Sequence, residues 1–362
     1  LLLSFTQCSE DATTDSAPSV QGSVKLTASI NETRTELSGN DVLWKSNDRL
    51  GLFCGTKFVN APFTTTTGGT TSADFTGDPT DPSGSEAEVF YAYYPYSAHA
   101  VLEGSVVSGL SIPAVQTFAT KSFATELCPM ATSGADYSRL AFRTIGTVLK
   151  FQVTGQKNVT KIELTGNDGE ALAGDYTIDF VGETPEMKFS GTETTLTLTC
   201  PEPVALNDAS ATEFYFVLPA GVEFTKGITV KVYTDDNAEP MVKEYASPLT
   251  TRPNKLVTVK AFTYSVPVTS IEEANEALSK GTSGVTITST TDLTAPSTLE
   301  IPNAFGHGTS TSVEIEQPVS TDLTISEKTT SDKELPETLS VEMETTASLI
   351  VDTPNLTASL EG

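Results

Sequence analysis

The sequence predicts an all-β chain: two antiparallel β-sandwiches in tandem, then one short helix with a β-solenoid-like or small β-domain. Three observations predict it. Apolar and polar residues alternate in short runs along most of the chain, the period of strands with one buried face. Gly, Asn, Asp or Pro bounds each run, as turns between strands require. Threonine is abundant, charged residues make up only 19% of the chain, and helical periodicity is nearly absent, a balance that favours strands.

Residues 20–137 read as the first sandwich, with strands around Val24-Leu26-Ala28-Ile30, Leu50-Leu52 and Val89-Tyr91-Tyr93. Thr64 to Ser85 is rich in Thr, Gly, Asp and Pro and reads as a long surface loop or hairpin tip. Residues 138–266 repeat the grammar as a second sandwich, through Leu149-Phe151-Val153, Ile162-Leu164, Leu196-Leu198, Phe214-Phe216-Leu218 and Ile228-Val230-Val232. Asn167-Asp168-Gly169 and Asp235-Asp236-Asn237 supply turns. From 267 to 362 the grammar changes. Ser270 to Glu273 forms a capping box, and Ile271, Ala274, Ala277 and Leu278 make one apolar stripe, so a short helix is expected there. Brief strands follow, with alternate ones recurring every 24 to 28 residues. That recurrence suggests solenoid coils; evenly spaced strands of a small meander sandwich are the other reading. The last residues are still in rhythm, so the native C-terminus is expected further on.

Composition narrows the function. The chain has 362 residues and a formal charge of −26, a surface that repels nucleic acid and anionic lipid. No Gly-rich phosphate loop, HExxH, Gly-x-Ser-x-Gly or EF-hand pattern occurs, and no cofactor or metal is expected. The only histidines, His99 and His307, sit in loop-like sequence. Cys54, Cys128 and Cys200 show no metal-binding spacing and read as free buried thiols, or as one disulfide plus a free thiol. An enzyme would have to rest on the last region, where Glu314 and Glu316, or Glu342 and Glu344, lie two apart and share a strand face. Acidic stripes of this kind are usually solvated, and no catalytic residue is assigned. A glycan binder would need exposed aromatics, for which Tyr94 and Tyr96 are the candidates.

The N-terminus gives an address. An apolar run over residues 1–7 ends at Cys8, followed by Ser9-Glu10-Asp11, which resembles the tail of a bacterial lipoprotein signal peptide. Cys8 is then the lipidated residue and 8–19 a polar tether. The sequence is expected to start inside its own precursor. Ser9, Glu10 and Asp11 resemble the acidic export tag of Bacteroidetes surface lipoproteins, which implies the outer face of the outer membrane. Gln7 departs from the small residue usual before such a cysteine. Asp15-Ser16-Ala17 resembles a Bacteroidetes O-glycosylation site, with Ser16 as acceptor.

Six segments in order resemble the fimbrillin-like family of Bacteroidales, the subunits of type V pili and related surface proteins. They are Thr33-Arg34-Thr35 with Trp44 and Asp48 to Phe53; the tyrosine-rich Phe90 to Tyr96; Ile112-Pro113-Ala114-Val115-Gln116-Thr117; Pro129-Met130-Ala131; Phe214 to Pro219; and Gly227 to Val230. The resemblance covers roughly residues 24–262. It implies transthyretin-like sandwiches, a buried Trp44 and a non-enzymatic role. It also implies proteolysis after an arginine and replacement of the first strand by one from a neighbouring subunit. Arg34 and Arg49 lie in the right region, and Arg34 is preferred. The long addition after the second sandwich favours an accessory, anchor or tip subunit, or a stand-alone adhesin, over a stalk pilin. Host or bacterial surface glycans or proteins are the partners such a role implies. The alternatives are a glycan-binding lipoprotein of a polysaccharide-utilisation system and, behind it, a β-helix polysaccharide-degrading enzyme.

Overall fold

The computed structural model describes residues 23–30, 42–120, 122–123, 127–236, 239–268, 273 and 276, and the backbone of seven strands between 284 and 361. Every named element among them is a strand, β1 to β30. No named element among the described residues is a helix, and the helix expected from Ser270 falls almost wholly outside them. Of that stretch only Glu273 and Glu276 are described, both in helical conformation, and Ser270 lies outside the described residues.

The first half of the chain does not make a sandwich. Its strands are β1 (Val24–Ile30), β2 (Arg49–Cys54), β3 (Phe58–Thr64), β4 (Ser72–Gly77), β5 (Phe90–Tyr94), β9 (Met130–Gly134) and β10 (Arg139–Thr144). They close into a barrel in the order β1-β10-β9-β5-β2-β3-β4. Closure leaves no free edge among the seven, so each strand's backbone polar groups face a partner. The expected loop from Thr64 to Ser85 therefore contains a barrel strand: β4 pairs with β1 from Ser72 to Gly77. Only Ala73 and Phe75 of β4 face the core, too short an alternation to stand out among polar neighbours.

A second layer covers one outer face of the barrel. It consists of β6 (Val101–Glu103), β7 (Val106–Ile112), β13 (Gly174–Asp179) and β14 (Glu186–Phe189), in the order β14-β13-β7-β6. Phe53, Tyr93 and Ala131 point out of the barrel into a core shared with Val107, Leu110, Ile112, Tyr176 and Ile178. Leu52 and Cys54 point inward. β2 is thus buried on both faces, which is why its sequence lacks clean alternation. The covering layer's central pair is long-range: β7 precedes the last barrel strand β10 in the sequence and β13 follows it.

Gly51 of β2 is where the ring of Tyr93, its partner on the neighbouring barrel strand β5, lies across the backbone. A Cβ there would lie 2.2 Å from Cε1 of Tyr93. The ring cannot move freely, because its hydroxyl lies 2.6 Å from Oδ1 of Asn60 and accepts the Ser97 N–H at 3.2 Å. Gly51→Ala is expected to destabilise the protein by about 2–3 kcal/mol through overpacking. Urea unfolding checks it, and a midpoint matching wild type would contradict the packing account.

Two further sheets share one core. The first holds β11 (Thr147–Thr154), β16 (Thr212–Leu218) and β21 (Lys255–Thr258), with β22 (Phe262–Thr263) also on β11. The second is β19 (Met241–Tyr245), β18 (Ile228–Thr234), β12 (Asn158–Gly166), β15 (Thr195–Ala205) and β8 (Val115–Thr117). Phe151, Phe214 and Phe216 from the first meet Ile162, Leu164, Leu198, Val230 and Val232 from the second. A two-residue pair, β17 (Glu223–Phe224) with β20 (Leu249–Thr250), lies beside them.

The last strands also differ from the solenoid reading. β23 (Val266–Val268), β24 (Gly284–Ile287), β27 (Leu323–Glu327), β28 (Thr338–Met343) and β30 (Thr357–Glu361) form one sheet. β25 (Ser297–Ile301), β26 (Thr311–Ile315) and β29 (Leu349–Asp352) form another. Solenoid coils stack their strands in parallel, whereas here β24/β27, β27/β28, β25/β26 and β26/β29 are all antiparallel. Only β23/β24 and β28/β30 run parallel.

Candidate functional site

The distinctive place in the barrel is the slot that holds β1. Its neighbour β4 is antiparallel, matched from Val24↔Gly77 to Ser29↔Ser72. The other neighbour, β10, is parallel, matched from Thr27↔Arg139 to Ile30↔Phe142. Every other pairing in the barrel is antiparallel. β1 thus lies as an inserted strand between two others, and without it β4 and β10 would each present an unpaired edge.

The sequence of β1 fits this slot by alternation. Leu26, Ala28 and Ile30 face the barrel core and are buried. Lys25, Thr27 and Ser29 face outward, where Lys25 Nζ lies 2.7 Å from Oδ2 of Asp74 and Thr27 Oγ1 donates to Oδ1 at 2.9 Å. Ser29 Oγ donates to the Leu140 carbonyl at 3.2 Å. The bonds from Lys25 and then Thr27 hold the Asp74 carboxyl below its usual range. Both members of that pair are well exposed, so solvent screens it, and the core-facing residues carry the strand.

Trp44 lies under β1. An isolated bridge to Thr70 fixes its backbone, and the indole N–H donates to the Ala28 carbonyl at 3.1 Å. Its ring meets Phe75, Tyr94 and Phe142 edge-on, with centroids at 5.0, 5.3 and 5.7 Å. Phe75 belongs to β4 and Phe142 to β10, so one indole touches both walls of the slot and the strand within it. Trp44 is buried, as expected from the sequence. Behind it the Tyr94 hydroxyl donates to Oδ1 of the buried Asp48 at 2.9 Å, while Oδ2 accepts the Lys45 N–H at 2.7 Å.

The other candidate residues are placed as follows. Cys8, Ser9, Glu10, Asp11, Ser16 and Arg34 lie outside the described residues, as do His307, Glu316 and Glu344. Arg49 heads β2 with its guanidinium 4.4 Å from the Tyr96 ring centroid. Tyr94 is buried and Tyr96 is half-buried beneath Arg49, so they are not the paired exposed aromatics of a glycan platform. His99 is exposed. Cys54, Cys128 and Cys200 are free and buried; burial pushes the Cys54 thiol up and that of Cys200 to about 11. Glu314 lies on β26, facing Thr298 and Ile350 across the ladder. Among the described residues no group of three or more His, Cys, Asp or Glu side chains could hold a metal ion.

Two open clefts are also present. One of about 710 Å³ is lined by Ile30, Arg143, Met187, Gly221 and Asn254 among others. The other, of about 650 Å³, runs along Phe118, Pro201, Pro203 and Val204.

No family model and no curated relative matches the sequence. The structure is similar to solved adhesion and fimbrial proteins of related character. A candidate cell adhesion protein from Bacteroides uniformis matches over 62% of this chain and 84% of its own, at 14% identity and a TM-score of 0.36. One from Bacteroides fragilis matches over 66% and 88%, at 13% identity and a TM-score of 0.35. The tip fimbrial protein Mfa3 of Porphyromonas gingivalis, solved with a C-terminal truncation, matches over 64% and 83%, at 14% identity and a TM-score of 0.24. Likenesses at this level bear no functional argument by themselves, and the geometry of the β1 slot has to bear it.

Proposed function

We propose that this chain is a non-enzymatic adhesion or pilus-accessory protein of the bacterial outer surface, whose β1 slot is an assembly joint. The observation that carries the reading is the position of β1, parallel to β10, antiparallel to β4 and the last piece needed to close the barrel. A strand from a neighbour could take its place with the same ladder bonds and the same inward side chains. Arg34 follows Ile30 by four positions in the sequence, so a cut there would free β1 from the chain that follows. Cys8, with Ser9, Glu10 and Asp11, would anchor the protein by lipid at the outer surface, and Ser16 would take the glycan.

The reading is tested by limited proteolysis of the whole chain with an arginine-specific protease. Cleavage after Arg34 should yield multimers that grow with concentration, and Arg34→Ala should stay monomeric under the same treatment. Cut protein that remains monomeric at all concentrations would overturn the joint. Labelled palmitate failing to enter the protein, or entering it equally in Cys8→Ala, would overturn the anchor.

A further inference from the structure

The cleft of about 710 Å³ lies where three parts of the fold meet. The end of β10 supplies Arg143, the loop between β13 and β14 supplies Thr184, and the turns at Gly221 and Asn254 supply the rest. Its volume falls within the range of small-molecule sites, about 300–1,000 Å³, and such sites favour junctions of this kind.

Two polar groups of the cleft lack partners. Arg143 is exposed, and no carboxylate pairs with it among the described residues. Acidic residues outnumber basic ones 47 to 21 in this chain, so a guanidinium left without a carboxylate is the less expected outcome. The other charged residue of the cleft, Glu186, is held by Lys188 at 2.6 Å. The free charge of the cleft is therefore positive. Asn254 is the second group. Its Oδ1 is buried and has no hydrogen-bond partner, an uncompensated cost to the fold that a ligand hydroxyl would relieve. The backbone at Asn254 is left-handed, with φ of 56°, and its N–H donates to the Gly146 carbonyl at 3.0 Å. A half-turn about Cβ–Cγ exchanges the two ends of the amide, so the cleft can meet either a donor or an acceptor. Beside these groups Ile145 and Met187 give an apolar wall, continuous with the core between the barrel and its covering layer.

We propose that this cleft binds an acidic sugar, a carboxylate-bearing pyranose of a surface glycan. The carboxylate pairs with the Arg143 guanidinium through charge-assisted N–H bonds. Ring hydroxyls, each both donor and acceptor, answer the Asn254 amide, and the C–H face of the ring lies on Ile145 and Met187. A simple anion only accepts, so it would satisfy Arg143 and leave Oδ1 unpaired. The inference rests on the adhesion reading above, gives it a ligand class, and requires no exchange at the β1 slot.

The test is ligand-observed NMR with the full, uncut chain. Methyl β-D-glucuronide, or the methyl glycoside of N-acetylneuraminic acid, should bind with a Kd on the order of 1 mM. Methyl β-D-glucoside, which lacks the carboxylate, should bind about tenfold more weakly or worse. Arg143→Gln should weaken the acidic glycosides by about tenfold or more and erase their advantage over the glucoside. Asn254→Gly keeps the left-handed backbone and removes the orphaned acceptor, so acidic-sugar binding should be lost while the urea midpoint does not fall. Retained binding in either variant would overturn the site. Equal binding of N-acetylglycine would overturn the sugar class in favour of a peptide carboxylate. If cells bearing the protein adhere to an acidic-glycan surface and neither glycoside binds, the site falls alone. If the purified protein binds and the cells do not adhere, the adhesion reading falls and the site stands.

Discussion

Gln116→Leu is expected to destabilise the protein by about 3–5 kcal/mol. Gln116 is buried on β8, and its side chain does the work of a missing strand. Nε2 donates to the Val217 carbonyl at 2.7 Å, and Oε1 accepts the Val217 N–H at 2.9 Å. Val217 faces away from β11, so the amide of Gln116 pairs a stretch of β16 edge that the sheet leaves open there. Leucine keeps the volume but strands a buried donor and a buried acceptor, each costing about 1–3 kcal/mol. Gln116→Glu gives a sharper version. A neutral carboxylic acid offers one donor and one acceptor, as the amide does, whereas a carboxylate faces the Val217 carbonyl with no proton. Burial would raise that carboxyl above its unfolded value of about 4.3. Its favourable contribution is then fully present below that pH and is lost as pH rises through the folded value. Urea melts across pH 3.5 to 7 check this. A flat difference between Gln116→Glu and wild type would show that the amide is not acting as the missing strand.

How much of this was legible in the sequence depends on how far apart the cooperating residues lie. The alternations of β1, β11, β12, β16 and β18 could be read directly, because each depends only on near neighbours. Barrel closure could not. β1 meets β10 more than a hundred residues downstream, as the Ser29 to Leu140 bond shows, and no local pattern announces a parallel insertion. Gln116 could be noticed as part of a connecting segment, but its purpose needs Val217, 101 residues away. Tyr94 and Tyr96 are the candidates that a glycan-binding face would have to expose, and their near neighbours in the sequence do not fix which way they point. The barrel instead turns Tyr94 inward to Asp48 and leaves Tyr96 under Arg49. The recurrence of the last strands was real, but spacing does not fix direction, and the antiparallel pairing decides against coils.

Trp44→Ala is expected to cost about 4–5 kcal/mol, with its effect centred on β1. Removing a buried indole loses its transfer energy and leaves a cavity that the barrel wall cannot fill, at about 3–5 kcal/mol for Trp to Ala. Three edge-on contacts go with it, to Phe75, Tyr94 and Phe142. Trp44→Phe should be milder, about 1–2 kcal/mol, since a ring remains and the N–H to Ala28 is the main loss. The distribution of the damage discriminates better than its size. β2, β3 and β5 keep their ladders whatever stands at 44, but β1 loses the contact that ties its centre to both walls. Amide exchange in Lys25 to Ile30 should therefore accelerate in both variants well before that of Leu50 to Cys54. Circular dichroism in urea gives the total, and mass-resolved exchange gives the location. Uniform acceleration across the barrel would make Trp44 an ordinary core residue. Acceleration confined to β1 would mean that the slot is held closed from beneath, and that its strand is the part of the barrel built to come out.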